Sequence, residues 1–351
     1  MVGLYKADVH FLEAYGNRMV VPQKLPMLEG TLFDLASLTK SIATATSVMI
    51  LKDRGIIDLH QDIQTYLPDF TRKKISVFSL LTHTSGLPAW KPLYLEVKAP
   101  ISHFGKDRLR GIYNHDDKEV VNYLSNIPLD YETGSKVIYS CLGYILLGKM
   151  IQNMTGSDLD VFAKKEIFDP LGMKDTFFNP QDNRKEECAA TEDSNSFEKR
   201  MTNYRDHKWR EGVIVGEVHD ENAHFLGGVA GNAGLFSTAT DLMKFSKMLI
   251  DRGNDILSPE SVKMISAVQT SGLNESRGIG WIILPDGTLY HTGFTGTAMW
   301  INLEHNISAT LLTNRVHPDA TKEGIIEFRQ NFYNYIIEMV HNQGNTFQSE
   351  N

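Results

Sequence analysis

Cysteine is scarce in this chain. Its 351 residues hold two, Cys141 and Cys188, with no C-x-x-C pair and no metal-ligand spacing around them. A disulfide framework or a zinc knuckle is therefore not what organises the fold, while the redox compartment stays open. Basic tracts are missing as well. Lys+Arg number 35 against 43 Asp+Glu, the net charge is -8, and no run of five basic residues occurs, so nucleic acid is not an expected partner. No stretch of eighteen apolar residues offers a membrane-spanning helix. The opening residues, MVGLYKADVHFLEAYG, lack the basic segment, apolar stretch and small-residue cleavage site of an export signal, which makes cytoplasmic the default expectation. Internal repeats and low-complexity segments are absent too.

What is present is an ordinary globular composition, 42% hydrophobic and 22% charged, in a length that suits one large or two intimately packed domains. Near the start, β-type residues are broken by Gly16-Asn17, a hairpin-like signal. A helix follows Phe33, apolar almost all round until Lys52-Asp53-Arg54, as a helix in the middle of a domain would be. Asp34 reads as its cap and Gly55 as its stop. From Asp58 to Pro180 the pattern is mainly helical, with Leu142, Ile145, Leu146, Met150 and Ile151 at helical spacing before Gly156. The charged stretch from Asn179 to Trp209 reads as a long surface excursion. TATDLMKFSKMLIDRG predicts another helix. After Gly278 come strands with turns at Asp286-Gly287 and around His305-Asn306, then a last helix over TKEGIIEFRQNFYNYIIEMV. The prediction is an α/β (α+β) fold: an antiparallel sheet built from both chain ends, flanked by helices, with an inserted mainly helical region. The sheet region is expected over 1–57 and 235–345, the helical region over 58–234, and a disordered tail over 346–351.

The chemistry starts with Ser37 and Lys40, one helical turn apart at the head of the first helix. A serine hydroxyl needs a base before it attacks, and burial should lower the lysine pKa toward a form that accepts a proton. The helix start adds backbone N–H donors for a developing oxyanion. Spacing alone is weak, because 22 serines and 22 lysines yield roughly one S-x-x-K by chance. A second copy, Ser196-Phe-Glu-Lys199, stands in the charged excursion with no apolar helix behind it, and reads as accidental.

Two further stretches follow in order. VIYSCLGYILLG puts Tyr139 just before a helix start, and LYHTGFTGTAMW puts His291-Thr292-Gly293 on a strand where glycine allows close backbone approach. Here the sequence resembles the serine β-lactamase and penicillin-binding-protein superfamily. It is similar above all to the branch of class C β-lactamases, D-alanyl-D-alanine carboxypeptidases, D-aminopeptidases and related esterases. The family's elements are S-x-x-K, Y-x-N and K-T-G or H-T-G, in this order. Supporting stretches are LFDLASLTK, LLTHTSGLPAW, IFDPLGMKDTFF and GGVAGNAGLFSTATDL, so the resemblance runs from about Gly3 to Val340.

The resemblance implies that Ser37 is acylated, that Lys40 manages its proton, and that Tyr139 is the general base or relay. It implies that His291 contacts a substrate carboxylate and tunes Tyr139. The N–H groups of Ser37 and Phe294 would form the oxyanion hole, and Thr292 and Gly293 the strand edge along which substrate lies. The Y-x-N asparagine is Cys141 here, a weak donor that reads as a small buried thiol beside Tyr139 and favours esterase or relaxed amidase chemistry over β-lactam hydrolysis. No cofactor is needed. The expected substrates are small amides, D-amino-acid peptides, esters or β-lactams. The alternative is a non-catalytic module that recognises penicillin-like or peptidoglycan ligands, and the complete Ser37, Lys40, Tyr139 and His291 set speaks against it.

Other candidates are weaker. Val218–His224 and Asn114–Asp117 lack a helix-spaced His pair with a third ligand, so no metal is expected, and Glu221 is at most a contact bordering the cleft. GGVAGNAG fits a tight turn better than a nucleotide loop. His83 reads as a hydrogen-bonded structural histidine beside a turn.

Overall fold

The computed structural model describes residues 1–6, 9–97, 118–203, 207–321 and 323–346. Strands β1 (Val2–Lys6) and β2 (Val9–Glu13) form a hairpin. Strands β3 (Asn17–Met19) and β4 (Leu25–Pro26) pair apart from it, and β5 (Phe33–Asp34), β6 (Phe177–Phe178) and β7 (Leu235–Ser237) form a small third sheet. The C-terminal part adds β8 (Ile282–Ile283), β9 (Leu289–Thr292), β10 (Ala298–Asn302) and β11 (Ile307–Leu311). The main sheet is six-stranded and antiparallel, in the order β2-β1-β11-β10-β9-β8. The two chain ends thus build it together, as the strand pattern predicts. The Gly16-Asn17 break is not its hairpin: the reversal lies between β1 and β2, and β3 leaves the sheet to pair with β4.

Period-two alternation explains how the sheet is covered. Met299 and Ile301 face the main core, while Ala298 and Trp300 face the last helix, Ile325–Thr346, through Phe332, Tyr333 and Ile336. Helix Ala239–Ile250 covers the other face, with Met243 and Ala239 against Gly3. The turn at His305-Asn306 is present, with Asn306 at φ +52°. The tail expected over 346–351 lies outside the described residues, apart from Thr346, which closes the last helix.

The first helix opens as a π-helical segment over Lys40–Ala45 and continues as an α-helix over Thr46–Asp53, where Gly55 at φ +70° ends it. Ile42, Val48, Met49 and Leu51 are fully buried, as expected of a helix without a polar face. Helix Cys141–Thr155 runs beside it, its start capped by the Ser140 hydroxyl. Leu142, Ile145, Leu146, Met150 and Ile151 are buried on it, each worth ~1.5–3 kcal/mol of apolar transfer. Between them these two helices fix Ser37, Lys40, Tyr139 and Cys141 around one point. Among the described residues no helix is long and apolar enough to cross a membrane.

Candidate active site

Strand β5 delivers the chain to Ser37. Asp34 does not cap the helix. Its buried carboxylate accepts from Ala36 N at 2.8 Å and from His219 N at 2.7 Å, and so holds a turn in which Ala36 takes φ +46°. Burial raises the Asp34 pKa, against the pull of those two backbone bonds. A residue with a Cβ held at positive φ is strained.

Lys40 Nζ donates to Ser37 Oγ at 3.0 Å and to Asn232 O at 2.9 Å, and the lysine is fully buried. Desolvation presses its pKa down, as expected, but the nearby Cys141, Tyr139 and Asp220 outweigh it and the net direction is up. The expected lowering of the Lys40 pKa is thereby corrected: the net shift is upward, and Lys40 stays an ammonium. That cation lies 4.9 Å from the Tyr139 ring centroid. Burial raises the Tyr139 pKa, while the Lys40 charge and polar contact with Lys40 and Ser37 pull it back. The Tyr139 hydroxyl is buried and has no hydrogen bond of full geometry among the described residues. The net direction is up, so the phenol keeps its proton at rest, and only its ionised form, the phenolate, can take a proton from Ser37.

His83 turns out to be next to Tyr139, with ring centroids 4.6 Å apart. It is the hydrogen-bonded histidine beside a turn that the sequence suggests. Its carbonyl accepts from Ile138 N at 2.9 Å and its Nδ1 from Ser140 N at 3.0 Å, so it grips the chain on both sides of Tyr139. Cys141 is not a buried thiol; it is partly exposed and lines the cavity. Withdrawal from bulk water pushes its thiol pKa up, against the Lys40 charge.

The end of β9 forms the facing wall. Gly293 N donates to Thr297 O at 2.8 Å, and a Cβ on Gly293 would stand 2.1 Å from Thr297 Oγ1 and 2.4 Å from Leu35 O. Only glycine lets the strand press this close to the Leu35–Ala36 backbone. His291 is buried, and its Nδ1 donates to Thr292 O at 2.9 Å. Burial, then the Arg277 and Lys40 charges, hold its pKa well below the usual histidine range, so the imidazole is neutral. A neutral ring brings no charge to a substrate carboxylate.

A positive charge near His291 belongs to Arg277, which the sequence did not single out. Its guanidinium carbon lies 5.6 Å from the Tyr139 ring, and Nη2 donates to Glu275 Oε2 at 3.0 Å. Nε and Nη1 are buried without a partner among the described residues. Ser37, Tyr139, Cys141, Arg277, His291, Gly293 and Phe294 border a cavity of about 1050 Å³. The Asn179–Trp209 stretch is not a mere surface excursion either, because helix Ser196–Thr202 contributes Phe197, Glu198 and Met201 to the cavity wall. Burial and the Asp220 charge raise the Glu198 carboxyl to about 7. The second S-x-x-K copy stays outside the site: Ser196 Oγ donates to Asp193 O at 2.6 Å. His219 and Asp220 line the cavity, whereas Glu221 sits behind it, bonded to Arg210 and Asn195. Among the described residues no cluster of His, Cys, Asp and Glu could hold a metal, and Asn114–Asp117 lie outside them.

Known proteins resemble this chain over most of its length. The family model described as Beta-lactamase matches residues 2–331. A protein of Bacillus subtilis (strain 168) named N-acetylmuramyl-L-alanine amidase is 32% identical over 344 residues, covering 89% of this chain and 74% of its own. A protein of Escherichia coli (strain K12), provisionally named a D-alanyl-D-alanine carboxypeptidase, is 29% identical over 86% of this chain and 73% of its own. The solved structure of EstCE1, a hydrolase with promiscuous acyltransferase activity, superposes with a TM-score of 0.66 at 22% identity, covering 89% and 87% of the two chains. With a match that runs almost from end to end, the chain belongs to the β-lactamase family, in the superfamily of serine β-lactamases and penicillin-binding proteins.

Proposed function

We propose that this chain is a serine hydrolase that cleaves small amides bearing a carboxylate, of the kind found in peptidoglycan fragments, through an acyl-enzyme on Ser37. The observation that carries this reading is the 3.0 Å bond from the buried Lys40 ammonium to Ser37 Oγ, with the Tyr139 hydroxyl beside both. In the reacting form Tyr139 is ionised beside the Lys40 ammonium; Ser37 Oγ attacks the carbonyl carbon and passes its proton to the Tyr139 phenolate. The carbonyl oxygen, now negative, takes the N–H groups of Ser37 and Phe294. When the C–N bond breaks, Tyr139 returns the proton to the leaving amine. Water then enters by the same relay and releases the acid.

Arg277 takes the substrate carboxylate, a task a neutral His291 performs poorly. Support for amides comes from the Bacillus subtilis relative, which is named an amidase. Cys141, where the family pattern has an asparagine, offers no amide to a substrate carbonyl, so β-lactams should acylate slowly beside esters.

The test is a chromogenic short-chain ester and a labelled penicillin, each with the parent protein and Ser37→Ala. Turnover of the ester and a covalent adduct that vanishes in S37A are expected. If the parent neither turns over the ester nor forms a Ser37-dependent adduct, the hydrolase reading fails.

A further inference from the structure

We infer that Arg329 is a positioning residue that strengthens the oxyanion site by polarising one of its two peptide units. This rests on the reading of the Ser37 and Phe294 N–H groups as that site. Arg329 stands on the Ile325–Thr346 helix and reaches across to the end of β9. Its Nη2 donates to Gly293 O and to Thr297 O, both at 2.9 Å.

The Gly293 carbonyl and the Phe294 N–H belong to the same amide. A cation bonded to the oxygen draws electron density through the conjugated C–N bond and leaves the N–H more acidic, hence a stronger donor to a negative oxygen. The carbonyl also accepts from Gly296 N at 3.1 Å, which adds to the same polarisation. Arg329 Nε is buried without a partner among the described residues, so little water stands between the charge and the peptide. Thr297 O receives both Gly293 N and Arg329, and Arg315 Nε donates to Phe294 O at 3.1 Å. The turn is therefore held at its far end and beside Phe294 by bonds of its own, so removing Arg329 changes the charge on the peptide more than its place.

The size follows from the donor's worth. Losing a whole oxyanion donor costs about 10²–10³ in kcat, and cooperative bonding strengthens a hydrogen bond by about 10–30%. Arg329→Met should therefore lower the acylation rate by about eightfold at most, and Arg329→Lys, which keeps a cation at the carbonyl, should stay within about twofold of the parent.

The experiment compares parent, R329M and R329K in three readouts. These are ester kinetics, affinity for an aryl boronate that forms a tetrahedral adduct with Ser37, and the amide shift of Phe294 in protein labelled with ¹⁵N-phenylalanine. Expected for R329M are a lower kcat at nearly constant KM, a matching loss of boronate affinity and an upfield Phe294 amide proton, with R329K close to the parent. An unmoved Phe294 amide in R329M overturns the inference, as does a loss confined to KM or an R329K as impaired as R329M. Should R329M not fold, Arg329→Gln keeps a donor without the charge and serves the same comparison. The amide shift needs no turnover. If Ser37 itself proves inert, the hydrolase reading falls, and the shift still decides whether Arg329 polarises this peptide.

Discussion

Replacing Arg277 by methionine should make the protein more stable and less selective at once. The guanidinium is buried, with Nε and Nη1 unpartnered among the described residues and one bond to Glu275. An unsatisfied buried donor costs about 1–3 kcal/mol, and methionine fills similar space without that cost. Glu275 loses little, since a third of its side chain is in solvent (34%). A net gain of about 2 kcal/mol is expected. For a chain of 351 residues, at about 2.1 cal/mol/K of unfolding entropy each, that raises Tm by roughly 3 °C. The loss falls on substrate. Two charge-assisted bonds to a carboxylate, at about 1.5–3 kcal/mol each, amount to at least ~3 kcal/mol, or about a hundredfold in kcat/KM. The assay is a chromogenic thioester whose leaving group carries a carboxylate, measured beside its methyl ester, together with thermal unfolding. R277M should lose about two decades on the acid, little on the ester, and melt higher. An unchanged preference between acid and ester, or a Tm lower by several degrees, refutes the assignment of Arg277 as the carboxylate anchor.

Two other outcomes follow from the same geometry. Gly293→Ala places a methyl group 2.4 Å from Leu35 O, a backbone atom, so the strand must retreat from Ser37. Overpacking of this kind costs about 1–3 kcal/mol, and ester turnover should fall much further than the shift in a urea unfolding midpoint suggests. Glu198 has a folded pKa of about 7, above its ordinary 4.5, so the folded state binds the proton more tightly. Its contribution is present below pH 4.5 and is lost as pH rises through 7. Tm should decline across that window in the parent and decline less in Glu198→Gln; equal slopes would rule out this carboxyl as the source.

Much of the site can be read from sequence because its chemistry is local. Ser37 and Lys40 lie on one turn, Tyr139 just ahead of a helix start, and His291-Thr292-Gly293 on one strand end. Each stretch is recognisable without knowing what lies opposite. The sheet, too, follows from period-two runs at both ends. Arg277 carries no such signature, because an arginine in a loop says nothing of its burial until Tyr139 and His291 are placed around it. Glu198 hides for the opposite reason: polar composition made Asn179–Trp209 look solvated, and only the cavity shows which of its side chains point inward. The Lys40 protonation state depends on Cys141, Tyr139 and Asp220 together, which no window of sequence contains.

The placement of β1 between β2 and β11 also has a consequence for synthesis. The Met1 amine donates to Leu312 O, 311 positions along the chain. While the polypeptide is still emerging from the ribosome, β1 has its hairpin partner but not its other neighbour. Half of its backbone donors wait for the last strand, and pairing over such a span is slow and leaves an open edge until late. Phe294 and Arg277 arrive on that same late segment. A nascent chain that already displays Ser37 and Lys40 therefore still lacks the facing wall of the cavity, which is complete only when the sheet closes.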